Sequence, residues 1–364
     1  MNDSIERSLS RKHLEKINHI ASKIGRDIKL MEICGGHTNV IMKFGIRELM
    51  PKNIKLISGP GCPVCVSAQH DIDCMIELAH EGIPVATYGD MLRVPGTRYN
   101  LDDAKAHGGK IFEVYSASEL FEIMKKYPEI VFFGIGFETT APMTAFLLRN
   151  NICVYSVHKL VPPAVAYLAS NKDIGIDGFI APGHVSAIIG AKPYREILIP
   201  QVIAGFTPER ILRAIWLVLD LIEQGKNIVV NGYPEVVQEE GNPKAQEMLK
   251  EFFEVRDSEW RGLGVLPKSG LEVKNSALNA KIKFRNILSM VPYNENDRCD
   301  VCEIQDFSMN LKGKARCAEI LLGMIEPTMC PLFGKECLPE NPIGACMVSE
   351  EGSCAIAYRY GRNG

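Results

Sequence analysis

Short apolar runs rich in β-branched and aromatic residues alternate with amphipathic stretches through the first two-thirds of the chain. The apolar runs include IKLIS, PVATY, EIVFFGIG and DGFIAP, and helix-like segments span 67–81, 116–126, 138–149 and 207–223. This order is typical of parallel strands that helices cover on both faces. The sequence therefore predicts an α/β fold with two open parallel-sheet, Rossmann-like domains.

Two changes in this pattern predict three regions. The stretch KKYPE interrupts the alternation near residue 127, and the Gly- and Pro-rich stretch RGLGVLPKSGLEVKN follows residue 255 and leads into a cysteine-dense tail. We therefore expect α/β domains at 1–127 and 128–255 and a cysteine-rich region at 256–364. Ser67, Ser116 and Thr207 are predicted to cap the N-termini of helices.

Charge and hydropathy exclude two classes of partner. The chain carries 41 Lys and Arg against 44 Asp and Glu, a formal net charge of −3, so no basic excess is present to neutralise a nucleic-acid backbone. No stretch approaches the roughly 18 apolar residues of a membrane span, and the N-terminal MNDSIERSLSRKHLEKI lacks the apolar core of an export signal. We expect a cytoplasmic protein that binds neither nucleic acid nor membrane.

The chain contains twelve cysteines, which a reducing cytoplasm does not favour as structural disulfides. Metal or redox chemistry is therefore the leading explanation. The cysteines form an early set and a late set of seven between Cys299 and Cys354, with Cys153 alone between them. Cys74 falls on the apolar face of a predicted helix and is expected in the core.

The early set follows predicted strands in EICGGHT (32–38) and GPGCPVC (59–65). Ligands bind beyond the carboxyl ends of parallel strands, so we expect the side chains of these loops and of the next one to converge: Cys34, His37, Thr38, Cys62, Cys65 and Asp90. The paired glycines after Cys34 lead into a helix whose N–H groups are expected to lower the pKa of its thiol. The C-x-x-C pair suits a reversible disulfide best, with zinc binding and inert packing as alternatives.

The late set suits an iron–sulfur cluster. Its cysteines stand beside Pro or Gly at spacings that match no zinc finger, and four thiolates from separate loops are the usual ligands of a [4Fe-4S] cluster. Five residues compete for four places; the preferred ligands are Cys317, Cys330, Cys337 and Cys354, with Cys346 as neighbour or substitute. Cys299 and Cys302 form an additional pair to which no role is assigned.

Two further loops follow strands. In GFETTAP, Glu138, Thr139 and Thr140 are expected to present an acid and two hydroxyls to the cleft between the domains, the alternative being a capped helix without chemistry. APGHVSAIIG around His184 has the same strand–turn–helix character, and both loops are expected to face the first domain.

Together, EICGGHT, GPGCPVC, GFETTAP, APGHVSAIIG and CPLFGKECLPENPIGACMVSEEGSCA resemble the motifs of the HypD hydrogenase maturation family, in the family's order and across nearly the whole chain. The resemblance implies a [NiFe] hydrogenase maturation factor. Such a factor is a redox-active scaffold rather than a conventional turnover enzyme, and it assembles an Fe(II) that carries two cyanides and one CO. The partners implied are a HypC-type chaperone, a HypE-type thiocyanate carrier and, through the HypC complex, the hydrogenase large subunit.

The resemblance also implies residue roles. Cys34 would bind the iron, with His37 close to it or donating a proton, and Cys62 and Cys65 would be a redox dithiol between a C-terminal [4Fe-4S] cluster and the iron. Two alternatives stay open: an iron–sulfur-dependent thiol–disulfide reductase of another protein, for which Cys34 is dispensable, and an interaction protein with a structural cluster.

Overall fold

A computed structural model describes residues 2–293 and 315–361. The Cys299 and Cys302 pair lies outside these residues. Two parallel sheets and one antiparallel hairpin are present, which confirms the predicted α/β class. The strands are β1 (Ile28–Glu32), β2 (Ile54–Ser58), β3 (Val85–Tyr88), β4 (Ile111–Val114), β5 (Val131–Gly134), β6 (Cys153–Ser156), β7 (Gly178–Pro182), β8 (Gln201–Ala204), β9 (Val229–Asn231), β10 (Phe253–Trp260) and β11 (Gly264–Val273).

The helices between the strands cover both sheets. They are α1 (Asn2–Ile24), α2 (Gly35–Lys43), α3 (Pro63–Val66), α4 (Gln69–His80), α5 (Leu101–Ala106), α6 (Leu120–Lys126), α7 (Ala141–Arg149), α8 (Val161–Ser170), α9 (Gly183–Ile189), α10 (Pro208–Glu223), α11 (Pro243–Phe252), α12 (Ala280–Lys283), α13 (Arg285–Leu288), α14 (Cys317–Leu321), α15 (Ala345–Val348) and α16 (Ser353–Tyr360). No helix in the described part of the chain combines the length and the apolar character needed to cross a membrane.

The two parallel sheets are interleaved along the chain. The five-stranded sheet has the order β2-β1-β7-β8-β9 and the four-stranded sheet the order β4-β3-β5-β6. The chain therefore begins the first sheet, builds the whole second sheet, and returns to the first at β7. The expected break near residue 127 does not separate the sheets, since β4 and β5 flank it and belong to the same one. Strand alternation does not specify which distant strands pair, and here β1 pairs with β7.

The strands are apolar because both faces of each parallel sheet are covered. In β1, Leu30 pairs with Leu56 of β2 and Gly178 of β7, so β1 has a neighbouring strand on each side, and Leu30 is fully buried. α1 and α10 pack together over one face of this sheet, where Ile17 and Ile215 are fully buried. The expected core position of Cys74 is confirmed, because its side chain is 1% exposed.

Two of the three predicted helix caps are confirmed. The Thr207 hydroxyl accepts from the backbone N–H of Arg210, and Ser116 forms a capping box with Glu119. Ser67 is different, because the helix predicted over 67–81 is split into α3 and α4. Its hydroxyl donates back to the carbonyl oxygen of Pro63 (2.9 Å) and so helps to end α3 rather than to begin α4.

The Gly- and Pro-rich stretch after residue 255 forms part of an antiparallel hairpin, β10 and β11. The hairpin docks onto the second sheet through hydrogen bonds from the N–H groups of Leu271 and Leu160 to the carbonyl oxygens of His158 and Ser269. Its tight turn, Trp260–Gly264, reaches α3 and the cysteine-rich tail, which places the tail beside the carboxyl ends of β1 and β2.

Candidate functional site

Cys34 lies where β1 ends and α2 begins. Its extended backbone (φ −165°) precedes the first helical residue, Gly35, and the N–H groups of Gly36 and His37 are directed at its sulfur. The N–H of Gly35 donates to the carbonyl oxygen of Gly61 (3.2 Å). The loop that carries the C-x-x-C pair is therefore packed directly on Cys34. We call residues 34–38 and 59–67 together the thiol turns.

Only glycine fits where the two thiol turns meet. A Cβ added at Gly61 would lie 2.5 Å from the Cα of Cys34, and one added at Gly35 would lie 2.5 Å from the Cβ of Glu351 in the C-terminal region. Such distances are far inside van der Waals contact. These glycines allow three backbone segments, from β1, β2 and the tail, to meet at one point.

The thiol of Cys34 is not acidic, contrary to the expectation from its helix N-terminus. Burial raises the pKa of Cys34 to about 12, and the negative charges of Glu351 and Glu32 act in the same direction. The N–H groups of His37 and Gly36 lower it, but desolvation outweighs them. The Cys34 thiol therefore stays protonated at neutral pH unless a cation such as a metal ion binds the sulfur and displaces the proton.

The buried carboxylate of Glu32 forms hydrogen bonds with the segment that carries Cys34. The carboxylate accepts from the hydroxyl of Thr38 (2.6 Å) and from the N–H of Cys34 (3.3 Å). Burial raises the pKa of Glu32 to about 7, while hydrogen bonds from Ser58 and Thr38 and the charge of Arg47 oppose that shift. Thr38, expected near the site, thus acts through this carboxylate.

His37 is fully buried and neutral. Its Nε2 lies 3.3 Å from the carbonyl oxygen of Ala204, so Nε2 carries the hydrogen and Nδ1 keeps its lone pair. Nδ1 has no hydrogen-bond partner among the described residues, and burial lowers the pKa of His37 to about 4. The ring of Phe206 lies 4.7 Å from that of His37 and 3.9 Å from that of the exposed His184. His184 thus joins the same cluster, as expected of its loop.

Cys62 and Cys65 are joined as a disulfide at the short helix α3, for which Cys62 is the N-cap residue. Their Cα atoms are 5.3 Å apart, Pro63 occupies the first turn, and the sulfur of Cys62 accepts from the N–H of Cys65 (3.2 Å). The two residues are only 3% and 0% exposed. The sulfur of Cys65 lies 3.9 Å from the carbonyl oxygen of Ala345, the first residue of α15, which carries Cys346.

Five of the late cysteines line one small cavity of about 20 Å³. The helices α14, α15 and α16 each supply one of them and the intervening loop supplies two, so that the set is Cys317, Cys330, Cys337, Cys346 and Cys354. The remaining lining is mainly apolar, for example Leu332, Phe333 and Met347. We call this space the cysteine cavity.

The five cysteines of the cavity come from separate parts of its wall. Across residues 2–293 and 315–361, no three acidic, histidine or cysteine side chains stand close enough to hold one metal ion. Cysteines around a [4Fe-4S] cluster each bind a different iron and therefore stand further apart. A Cβ at Gly344 would lie 2.5 Å from the sulfur of Cys317, so bare backbone forms part of the wall. Burial, then the charges of Cys346, Cys337 and Cys330, raises the pKa of Cys354.

Glu138 does not open into the cleft as expected. It is 1% exposed, and one carboxylate oxygen accepts from the N–H of Val161 (2.9 Å) at the start of α8. Burial raises the pKa of Glu138 to about 8. Thr139 is exposed, whereas Thr140 lines an open cleft of about 540 Å³. Thr140, the N-cap residue of α7, makes no side-chain capping hydrogen bond, so the contact of Glu138 with α8 does not confirm the alternative of a capped helix at GFETTAP.

Asp90 reaches the same cleft from the second sheet, opposite the thiol turns. It shares the cleft lining with Pro63, Thr140 and Glu351, and its charge helps to raise the pKa of Glu351. The expected convergence of Asp90 with the cysteines therefore comes from two facing sheets and not from neighbouring strands. Sequence reasoning missed Glu32 and Glu351, although Glu351 stands in the SEEGSC stretch that was examined for its cysteine.

Comparison with known proteins gives the family. A family profile described as "Hydrogenase formation hypA family" and labelled HypD matches residues 8–361. The chain belongs to the HypD family. It is 41% identical to the hydrogenase maturation factor HypD of Cupriavidus necator over 93% of this chain and 91% of the relative.

Two further relatives are similar over most of their length. The putative hydrogenase expression/formation protein of Methanocaldococcus jannaschii is 40% identical over 98% of both chains, and the hydrogenase maturation factor HypD of Escherichia coli is 38% identical over 95% of this chain and 92% of the relative. The predicted HypD resemblance is confirmed, and with it the general role of a hydrogenase maturation factor.

Proposed function

We propose that this chain is the scaffold on which the Fe(CN)₂CO unit of [NiFe] hydrogenases is assembled. The observation that carries the proposal is that the sulfur-bearing segments contact one another in sequence. Gly61 of the C-x-x-C loop packs on Cys34, and Cys65 contacts α15 at the cysteine cavity. A possible metal ligand, a reversible disulfide and a set of five cysteines thus form one connected path through the protein.

The iron unit is the cargo, and Cys34 with His37 would receive it. A thiolate suits a low-spin, cyanide-bearing Fe(II), because sulfur is a soft ligand and its charge offsets that of the metal. The high pKa of the Cys34 thiol means that binding of iron must release a proton. The neutral imidazole of His37, with its unpartnered Nδ1, is suited to accept a hydrogen bond near the iron, whereas its lowered pKa disfavours taking up the proton itself.

The Cys62–Cys65 pair would supply two electrons at a time for the release of cyanide. Release of cyanide from a thiocyanate (R–S–C≡N + 2 e⁻ + H⁺ → R–SH + CN⁻) needs an electron pair. Oxidation of the dithiol to the disulfide yields two electrons and two protons, so the two half-reactions together form one S–H bond, one S–S bond and HCN. The Cα atoms of the pair are 5.3 Å apart, within the range that disulfides span, so the backbone here is compatible with a closed pair.

The cysteine cavity would hold a resident [4Fe-4S] cluster, bound by four of its five cysteines. When bound, such a cluster accepts and donates single electrons. Cys317, Cys330, Cys337 and Cys354 remain the preferred ligands. Cys346 lies on α15, the helix that Cys65 contacts, so it is placed between the cavity and the dithiol.

The partners proposed follow from the same assignment. A HypC-type chaperone would complete the coordination of the iron at Cys34, a HypE-type carrier would bring the thiocyanate, and the finished unit would pass to the hydrogenase large subunit through the HypC complex. The open cleft beside Asp90, Thr140 and Glu351 is also lined by Pro63 of the thiol turns, and we propose it as the side from which a partner approaches. We expect these steps to take place in the cytoplasm.

A stand-alone thiol–disulfide reductase fits the geometry less well. Such an enzyme needs one attacking sulfur at the surface, where a partner disulfide can reach it. Cys62 and Cys65 are almost fully buried, whereas Cys34, which the reductase would not use, keeps exposed surface.

Infrared spectroscopy of the chain purified anaerobically with its HypC-type partner tests the proposal. Stretching bands of bound cyanide and CO are expected for the wild type and should disappear in Cys34→Ala. Cys153→Ala, which alters a buried cysteine on β6, is the matched control and should retain the bands. Absence of the bands from the wild-type complex, or their persistence in Cys34→Ala, would overturn the scaffold assignment.

A further inference from the structure

A buried arginine holds the end of the C-x-x-C helix. Arg261 lies in the turn between β10 and β11, where its backbone N–H donates to the carbonyl oxygen of Val66 (2.9 Å) and its Nε donates to that of Ser67 (2.8 Å). Ser67 follows α3 directly. Arg261 is thus attached by two hydrogen bonds to the segment that carries the dithiol.

The same turn also packs against the cysteine-rich tail. A Cβ added at Gly262 would lie 3.0 Å from the Cα of Ala318 and 3.2 Å from the side chain of Leu321, both in α14. α14 begins with Cys317, which lines the cysteine cavity. One short turn therefore bridges the dithiol helix and the proposed cluster site, with Arg261 between them.

The charge of Arg261 is not compensated in the disulfide state. The residue is 6% exposed, and its Nη2 is buried without a hydrogen-bond partner among the described residues. In the same residues no carboxylate lies within ion-pairing distance of it. A guanidinium does not lose its proton in a protein, and a buried, unpaired charge is costly. An anion formed nearby would reduce that cost.

We propose that Arg261 is a positioning residue that stabilises the reduced form of the Cys62–Cys65 pair by its buried positive charge. Reduction breaks the S–S bond; the pair takes up two electrons from a thiol reductant and one proton, which leaves one thiol and one thiolate. The thiolate is the anion that the guanidinium stabilises. With glutathione, the balanced exchange converts the disulfide and two GSH into thiol, thiolate, GSSG and one proton.

This inference rests on the proposed function only for its biological use, since the measurement needs neither iron nor a hydrogenase. The full-length chain is equilibrated anaerobically in glutathione redox buffers at constant pH and salt, acid-quenched and differentially alkylated. Cleavage after Lys55 and before Asp71 releases fragment 56–70, which contains Cys62 and Cys65 without Cys74. Mass spectrometry of this fragment gives the reduced fraction.

Arg261→Met should lower the equilibrium constant for reduction about tenfold, which corresponds to a potential about 30 mV more negative. Arg261→Lys keeps the charge and should stay within about threefold of the wild type. A Met variant equal to the wild type, or a Lys variant shifted as far as Met, would show that the residue acts by packing alone and would overturn the inference.

Circular dichroism shows whether each variant folds. If Arg261→Met does not fold, Arg261→Gln takes its place, because a glutamine amide is neutral and can still donate to the Ser67 carbonyl. An unchanged equilibrium constant in Arg261→Gln would then contradict the inference. Failure of this test leaves the infrared result on the Cys34 complex untouched, so the two proposals fail separately.

Discussion

The thiol turns and the cysteine cavity hold sulfur in opposite ways. In the thiol turns, glycines bring three backbone segments into contact, carboxylates surround Cys34, and little space remains at the contact. In the cysteine cavity, five cysteines line one small space whose other walls are mainly apolar. The thiol turns are closely packed and polar, whereas the cysteine cavity contains a small space with mainly apolar walls.

This difference matches two kinds of sulfur chemistry. A disulfide that opens and closes needs its two sulfurs held at bonding distance with the backbone unmoved, which close packing provides. An inorganic cluster needs a space of its own size, together with thiolates whose mutual repulsion only bound metal can offset. The comparison therefore predicts that the two regions respond differently to loss of a sulfur, gain of a methyl group and change of a charge.

The largest effect is expected from loss of a ligand in the cysteine cavity. Cys330→Ser should lower the iron and acid-labile sulfide bound after anaerobic reconstitution at least about tenfold, because a serine oxygen is a harder and weaker ligand for iron than a thiolate. Cys346→Ser should retain most of the iron. Iron and sulfide analysis, together with visible absorbance, measures both.

Cys153→Ser, on β6 and outside the cavity lining, is the control for the loss of any buried thiol. If Cys330→Ser binds as much iron as this control, the cavity is not a cluster site. If Cys346→Ser loses the iron and Cys317→Ser keeps it, the preferred set of four ligands is wrong, and Cys346 replaces Cys317.

The next effect tests the close packing of the thiol turns. Gly61→Ala places a methyl group against the backbone of Cys34 and should lower the free energy of unfolding by about 3 kcal/mol, the upper end of the usual cost of overpacking. Gly82→Ala is the control: its φ of +80° is unfavourable for alanine, but nothing lies within 4 Å, so about 1 kcal/mol is expected. Equal losses in urea unfolding would contradict the packing argument.

A smaller effect concerns the buried acid of GFETTAP. The folded pKa of Glu138, about 8, exceeds the ordinary value of 4.5, so the folded chain holds a proton that the unfolded chain has lost. Stability should therefore fall as pH rises from 6.5 to 8, by about 2 kcal/mol for this group. Glu138→Gln should remove that fall.

The pH range of 6.5 to 8 is chosen because the buried histidines contribute little to the pH dependence of stability there. The buried His37 and His158 have pKa values lowered to about 4 and about 3, so they add stability with rising pH only below about pH 6.5. Glu32, with a pKa of about 7, acts in the same direction as Glu138, whereas Lys159, with a pKa lowered to about 8, acts in the opposite direction near pH 8; both contribute equally to the wild type and to the variant. Urea unfolding at four pH values measures the slopes, and identical slopes would mean that Glu138 is ionised in the folded state.

Much of this architecture follows from local sequence, and the parts that do not follow are non-local. Apolar runs and caps such as Thr207 predict the strands and helices because they act within a few residues. The pairing of β1 with β7 across more than a hundred residues carries no local signal. The same limit applies to the thiol turns: CGGH correctly indicates a helix start after Cys34, but the burial that raises its pKa comes from β2 and from the tail.

Glu351 illustrates what the sequence conceals. As one of two glutamates in SEEGSC it has no distinctive pattern, and only the fold brings it against Gly35, where its charge helps to raise the pKa of Cys34. It also shows that the two sulfur regions are not independent, because a residue from the cysteine-rich tail acts on the thiol turns.

The smallest expected effect measures that connection. Glu351→Gln removes a negative charge but preserves shape, so the pKa of Cys34 should fall and its alkylation by iodoacetamide at constant pH should accelerate by roughly two- to fivefold, since only the thiolate reacts. Labelling of the peptide that contains Cys34, followed by mass spectrometry, measures the rate. Glu350→Gln, at the exposed neighbouring position where the carboxylate pairs with Arg359, is the matched control. Because burial is the larger cause of the raised pKa, the acceleration must stay modest; a rate that does not change would mean that the tail contacts the thiol turns without influencing their charge.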